Sequence, residues 1–243
     1  MKIALCLSGF PRNYKETFSL FKKHLLDVLY PDIFFYGYNQ KAGEFDNEFV
    51  DKFKFTDYII KDYTEATAEE IDTFSGNWDG INLHCSTRFS QLKSQFYNIY
   101  KSNELKNQFE KNNNKSYDIV IRARFEAFFI RDVNLEEIEK YPQDTIAIPY
   151  KWNFKEVAHY GVTDQFAIGN KKNMDIYSSV IKKFKTYNLD HNIMCHPETL
   201  MGYHLHFNKV KVNEIETYYE WEREDGRLSI RHSEQFSQTE KPT

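Results

Sequence analysis

Residues 117–129 read YDIVIRARFEAFF, and Arg122, Arg124 and Glu126 within them put two guanidinium groups and a carboxylate at alternate positions. Alternate residues of a strand point to one face, so Val120, Arg122 and Arg124 share a side opposite Ile119, Ile121 and Ala123. Charge at the end of a buried strand is costly unless it is paired or meets a ligand. Two readings follow: an internal Arg–Glu pair that anchors the strand, or part of a site. For a site, the planar arginine fork suits bidentate recognition of a diphosphate. A carboxylate at Glu126 suits a divalent cation bridging that diphosphate.

A second candidate is the run LSGFPRN, residues 7–13. Gly9 falls where a first strand must turn, and Arg12 lies at the mouth of the helix that follows. Backbone N–H groups, a helix dipole and one arginine make an anion pocket. The run has neither P-loop nor GxGxxG spacing, and a plain turn is the alternative. Arg88, Gln91 and Gln95 follow at helical spacing on one polar stripe, which is either a site wall or a solvated face. His196, Glu198, His204 and His206 cluster in HPETLMGYHLHF, but no HExxH or comparable ligand spacing is present, which favours a structural or surface role.

The elements that must hold these residues read as α/β. KIALCLSG (2–9) is a buried strand, residues 14–29 carry Phe18, Phe21, Leu25 and Leu29 at helical spacing, and DIFFYGY (32–38) is a second strand. A strand, helix and strand in that order predict parallel pairing and a right-handed crossover. Further strands are expected at 57–63, 117–124, 144–150, 164–169, 209–215 and 226–232. Helices are expected at 64–74, 87–110, 172–186 and 197–207, with the Asn-rich 111–115 ending the long one. The fold class expected is a mixed, mainly parallel central sheet flanked by helices. In open α/β sheets ligands gather at the carboxyl ends of the strands, where Gly9 and Arg124 fall.

The chain has 243 residues, 41% apolar and 28% charged, with a formal net charge of −4. That balance suits a globular protein without a broad nucleic-acid surface. Cys6, Cys85 and Cys195 lie far apart and pair in no motif, which fits a reducing compartment. No signal-peptide pattern and no membrane-length apolar run is visible, so any membrane association is expected at the surface. The 21 Phe and 17 Tyr are read first as core filling, with stacking platforms as the sharper alternative. No repeat or linker divides the chain. One domain is expected over 1–235, with the halves meeting near residue 130 and a polar tail at 236–243.

Taken in order, LSGFPRNYKETFSLFKKHLL, DIFFYGY, RFSQLKSQFYNIYKSNELK, YDIVIRARFEAFF, DQFAIGNKKNMDIY and HPETLMGYHL resemble small GT-A-type nucleotide-sugar glycosyltransferases of bacterial and large-virus glycan assembly. The resemblance implies a GT-A-like, Rossmann-like fold with a nucleotide-binding first half and an acceptor-binding second half. It implies donor contacts from Ser8, Gly9, Arg12, Arg88, Gln91, Arg122 and Arg124. It implies a divalent cation, Mn²⁺ or Mg²⁺, held after the arginine strand by Glu126, where the family usually has Asp, and by a late histidine, for which His232 stands. Asp164 matches the carboxylate that opens the acceptor-side strand and would take the acceptor proton, with Gln165 and Glu198 as acceptor contacts.

The activity so implied is transfer of a sugar from a nucleoside-diphosphate sugar such as a UDP-sugar to a glycan or glycolipid hydroxyl, in polysaccharide biosynthesis. A cytoplasmic setting is expected. Two alternatives stay open: a sulfotransferase-like enzyme needing no metal, and a non-catalytic relative that only binds nucleotide or glycan.

Overall fold

A computed structural model describes residues 1–10, 14–39, 47–75, 89–125, 127–136, 143–149, 160–215 and 219–221. Arg12, Arg88, Glu126, His232 and the strand expected at 226–232 lie outside the described residues. Strand β1 (Ile3–Ser8) leads to helix α1 (Tyr14–Phe21), which runs on through a π-helical turn (Lys22–Leu26) into α2 (Asp27–Leu29). Then come β2 (Asp32–Asn39), α3 (Asn47–Phe53), β3 (Asp57–Asp62), α4 (Glu65–Ser75) and the long α5 (Phe89–Asn113). The second half brings β4 (Ile119–Ala123), β5 (Ala127–Phe129), β6 (Thr145–Pro149), β7 (Ala167–Gly169), α6 (Lys171–Ser178), α7 (Pro197–Phe207), β8 (Lys211–Ile215) and β9 (Tyr219–Trp221).

Among the described residues, seven strands form one mixed, mainly parallel sheet in the order β3-β2-β1-β4-β7-β6-β8, the architecture expected from the sequence. β1 is parallel to both β2 and β4, and β7 alone runs antiparallel to its neighbours β4 and β6. The strand expected over 164–169 is shorter, because Asp164 and Gln165 stand ahead of the ladder. The helix expected over 172–186 is broken: α6 ends at Ser178, a 3₁₀ turn covers Val180–Lys183, and a π turn covers Thr186–Asp190. Helix α3 and the two-stranded β5–β9 sheet lack a periodic signal long enough to read in sequence.

Each face of the sheet buries its own core. Ala4, Cys6, Phe34, Tyr36 and Val120 face α5 with Leu92, Phe96 and Ile99. Leu5, Leu7, Ile33, Phe35, Ile121 and Ala123 face α1 and α3 with Phe21, Phe49 and Phe53. The period of two along β1, β2 and β4 thus sorts side chains to opposite layers, each fully buried aliphatic or aromatic residue stabilising the fold by about 2 kcal/mol. Phe125 meets Phe49 at 5.1 Å and Phe53 at 5.2 Å, both edge-on, so the aromatic excess largely fills the core.

Two polar links lock helices to one another. Lys106 of α5 is fully buried and lies 3.2 Å from Asp175 of α6, which also accepts from Asn103 at 2.7 Å and Asn107 at 3.1 Å. His204 of α7 is 2.8 Å from the Ile176 carbonyl through Nε2 and 2.7 Å from the Tyr187 hydroxyl through Nδ1. The carbonyl can only accept, so Nε2 donates; burial lowers the imidazole to about 4, so the ring is neutral near pH 7 and Nδ1 accepts from the Tyr187 hydroxyl. Asn113 ends α5, and Asn114 adopts the left-handed conformation, φ 49°, as its side chain tolerates.

Candidate functional site

β1 and β4 are parallel, and their carboxyl ends fall together. Cys6 pairs with Arg122 and Leu7 with Ala123, and the same register carried one step on sets Ser8 beside Arg124. Ser8 is buried, with its hydroxyl lacking a hydrogen-bond partner. Gly9 follows at φ +105°, a conformation that disfavours any side chain. A Cβ on Gly37 of β2 would come within 2.9 Å of the Gly9 carbonyl, so both glycines are needed for the β1 turn to lie against β2.

β4 ends at Ala123, and the chain beyond it is held in place. The Thr17 hydroxyl of α1 donates to the Phe125 carbonyl at 2.8 Å, and the Ala127 N–H reaches the Arg124 carbonyl at 3.3 Å. Arg122 and Arg124 differ sharply in setting. Arg122 is only 2% exposed and donates to the Ala123 carbonyl, so it is a cation beneath the site, whereas Arg124 is partly exposed at the edge.

The antiparallel β7 brings Asp164 and Gln165 to the same edge. Arg122 pairs with Ala167, so the residues before Ala167 run past the carboxyl end of β4. Asp164 stands there 2% exposed, and its Oδ2 has no hydrogen-bond partner. Burial pushes its carboxyl above the ordinary range, opposed by the positive charges of Arg124, Arg122 and His196. Gln165 is partly buried, and its Oε1 also lacks a partner.

Helix α7 closes the cluster from above. Pro197 at its first turn starts the helix, leaving His196 extended at the cap and Glu198 in the first turn. The Val162 N–H donates to the Glu198 carbonyl at 3.0 Å, tying the segment before Asp164 to this turn. Close packing at Gly202 permits it, since a Cβ there would fall 1.5 Å from the Tyr160 carbonyl oxygen. His196 Nδ1 lies 3.1 Å from Glu198 Oε2, within ion-pair reach but not aligned as a hydrogen bond. Burial and the Asp164 charge push Glu198 up to about 7, although a carboxylate at a helix N-terminus is ordinarily favoured, and Arg124 opposes the rise. Burial holds the His196 imidazole below its usual value, with Asp164 opposing.

Of the residues expected from sequence, Ser8, Gly9, Arg122, Arg124, Asp164, Gln165 and Glu198 converge on this edge. Gln91 is exposed on the first turn of α5, whose amino end faces the same side of the sheet. His196 joins them although its spacing to other histidines signalled nothing. The usable signal was His-Pro-Glu at a helix start, which sets the imidazole and the carboxylate two residues apart at the helix amino end. Among the described residues, no group of three or more His, Cys, Asp or Glu side chains could hold a metal ion. A cavity of 470 Å³ lies at the opposite, amino-terminal edge of the strands, lined by Tyr117, Asp144, Asn170, Lys171 and Lys209 among others. It contains none of these groups.

Among the described residues, no helix is long and apolar enough to cross a membrane. No family model and no curated protein sequence matches the chain. Among solved structures it is similar to mouse xyloside xylosyltransferase 1 in its apo form, at 9% identity and a TM-score of 0.48, over 88% of this chain and 85% of that one.

Proposed function

We propose that the chain is a GT-A-like glycosyltransferase that moves a sugar from a nucleoside-diphosphate sugar to a hydroxyl of a glycan or glycolipid. The observation that carries this reading is Asp164, a buried carboxylate without a hydrogen-bond partner on Oδ2, set beside Arg124 at the carboxyl edge of β1 and β4. A carboxylate whose basicity is raised by burial suits removal of a proton from a hydroxyl near neutral pH. The Ser8–Gly9 turn offers backbone donors to the diphosphate, and Arg124, with Arg12 from the same turn, offers charge to the leaving group. Arg122, which donates to the Ala123 carbonyl, is a donor contact in this reading and also acts on Asp164 through its field. Arg88 and Gln91 remain donor contacts, and Gln165 and Glu198 acceptor contacts, in this reading.

A divalent cation, Mn²⁺ or Mg²⁺, at Glu126 and His232 is a further part of the proposal. It would neutralise diphosphate charge when bound. The described residues do not by themselves form such a site, so the acid–base and arginine roles above are independent of it.

The test is a panel of nucleoside-diphosphate sugars incubated with the protein, with and without Mn²⁺ and a chelator, following nucleotide release. Release from one donor that falls at least about 100-fold in Asp164→Asn, which loses the base, supports the reading. No release from any donor by the wild-type chain would sink it. Full activity in excess chelator removes the cation from the reading and leaves the transfer itself, whereas turnover of a phosphosulfate donor in place of every nucleotide sugar favours the sulfotransferase-like alternative.

A further inference from the structure

The cavity of 470 Å³ at the amino-terminal edge of the sheet is walled by the residues that lead into β4, β6 and β8, the first turn of α6 and the end of α7. Its size suits a small ligand. Four side-chain amides line it, Gln143, Asn170, Asn173 and Asn208, and an amide can both donate and accept. Asn170 is engaged internally: its Oδ1 accepts from the Asn173 N–H at 2.9 Å and its Nδ2 donates to the Gln143 carbonyl at 2.6 Å. Asn173 is only 2% exposed, and its Nδ2 donates to the carbonyls of Gln143 at 2.8 Å and Thr145 at 2.9 Å. Its Oδ1 accepts no hydrogen bond among the described residues, so an acceptor on a buried side chain of the wall is left to the cavity. Asn208 likewise commits Nδ2 to the His204 carbonyl at 2.8 Å and keeps Oδ1. Charge is also left over. Lys171 is held by Asn107, Glu110 and Asp175, and Asp144 pairs with Lys211 at 2.7 Å. Lys172 and Lys209 line the cavity with no partner among the described residues, against the single carboxylate of Asp118, which takes the Lys2 N–H at 2.7 Å. Tyr117 is 3% exposed and donates its hydroxyl to Asp32 at 2.6 Å, so it offers no ring face on which a nucleobase could stack.

We propose that this cavity is a binding site for a small anionic saccharide, a sugar ring that bears one carboxylate or phosphate group. Ring hydroxyls donate to the free Oδ1 atoms of Asn173 and Asn208 and accept from the Gln143 amide. The C–H face of the ring lies on Ile176 and Val210, the apolar part of the wall. The anionic group meets Lys172 and Lys209, whose charge-assisted hydrogen bonds are the strongest contacts on offer. No histidine or cysteine lines the cavity, which makes it a place to hold a sugar rather than to react with it. The site is independent of the transferase reading, because none of its residues belongs to the Asp164 edge.

The experiment titrates glucuronic acid, glucose 6-phosphate, glucose and inorganic phosphate into the full ¹⁵N-labelled chain and follows its backbone amides by NMR. At least one of the two sugar acids should saturate with a Kd of about 1 mM or tighter, shifting amides near Asn173 and Asn208. Glucose and phosphate should each bind at least about tenfold more weakly, since each lacks half of the contacts. Saturation by glucuronic acid alone assigns the anion as a carboxylate, and by glucose 6-phosphate alone as a phosphate. Lys172→Gln and Lys209→Asn should each weaken the sugar acid about tenfold. Both lysines are exposed, and Asn tolerates the left-handed conformation of Lys209, φ 59°, so both variants keep the fold. Asp164→Asn, on the far edge, should leave this Kd within about twofold of wild type. No saturation by either sugar acid up to about 10 mM overturns the proposal. So does glucose or phosphate that binds as tightly as the sugar acid, a Kd unmoved in both lysine variants, or shifts confined to other parts of the chain.

Discussion

Replacing Asp164 by Asn keeps the shape of the side chain and removes a charge that burial disfavours. Nucleotide-sugar turnover should fall by at least about 100-fold while the thermal midpoint at pH 8 stays level or rises. A midpoint that drops sharply would make Asp164 a structural residue. The two arginines should separate in the opposite sense. Arg122→Met removes a buried cation facing Asp164 and should lower stability by about 3 kcal/mol in denaturant unfolding. Arg124→Met should leave stability within about 1 kcal/mol and act on donor KM, because its partly exposed side chain has water as an alternative partner. Equal stability losses in both variants would mean that Arg124 is an anchor too. At this scale the sequence conveyed which residues bear charge and which face of β4 they share, but not that one of the pair is turned under the sheet edge.

Helix α7 is the element that brings the second carboxylate to the first, and Gly202 is where it does so. Gly202→Ala puts a methyl group into the Tyr160 carbonyl, which is backbone and has little room to retreat. We expect a loss of about 3 kcal/mol in chemical unfolding, together with a shift in the Glu198 titration, since the helix must move off the 160–164 segment. A normal Glu198 titration in a folded Gly202→Ala protein would show that the helix contact does not set the carboxylate. α5 and α6 are joined differently, by the buried Lys106 and the half-buried Asp175. Against the penalty of burial, Lys106, Asn103, Asn107 and Lys171 hold the Asp175 carboxyl below its usual range. Lys106→Ala should cost about 3 kcal/mol by leaving that carboxylate short of its nearest charge, measured by denaturant unfolding. Of these elements, α7 and the long α5 are legible from apolar spacing, a proline start and an asparagine stop. The break after Ser178 is not, because Ile181, Phe184 and Tyr187 keep a near-helical rhythm while the backbone tightens and then widens.

For the whole molecule, two groups set opposing slopes of stability with pH. Glu198 is raised from 4.5 to about 7 on folding, so its contribution is complete below 4.5 and is lost as pH rises through about 7. His204 is lowered from 6.5 to about 4 by burial, so its contribution is complete above 6.5 and is lost as pH falls through about 4. Between these limits they offset each other. In Glu198→Gln the opposing Glu198 slope is gone, and the thermal midpoint should climb more steeply from pH 4.5 to 6.5 than in wild type. Identical slopes would mean that Glu198 titrates near its unfolded value. Both groups lie on α7, one at its amino end over the candidate site and one near its carboxyl end against Ile176 and Tyr187, so acidity also reports on how this helix is seated.

The sequence by itself determined the layers of this protein. Period-two alternation in β1, β2 and β4 and helical spacing in α1, α5 and α7 are local signals, and each fixes which side of a segment must leave water. The same local logic set Arg122 and Arg124 on one face and Gly9 at a turn. The tertiary structure decided what those residues meet. Asp164 reaches Arg124 because β7 runs antiparallel beside β4, a pairing of segments about forty residues apart that no local pattern encodes. His196 and Glu198 come within electrostatic range of Asp164 because Gly202 lets α7 pack on the Tyr160 carbonyl. Burial then changes the chemistry of all three, since a carboxylate or imidazole takes its basicity from the dielectric and charges around it rather than from its neighbours in sequence.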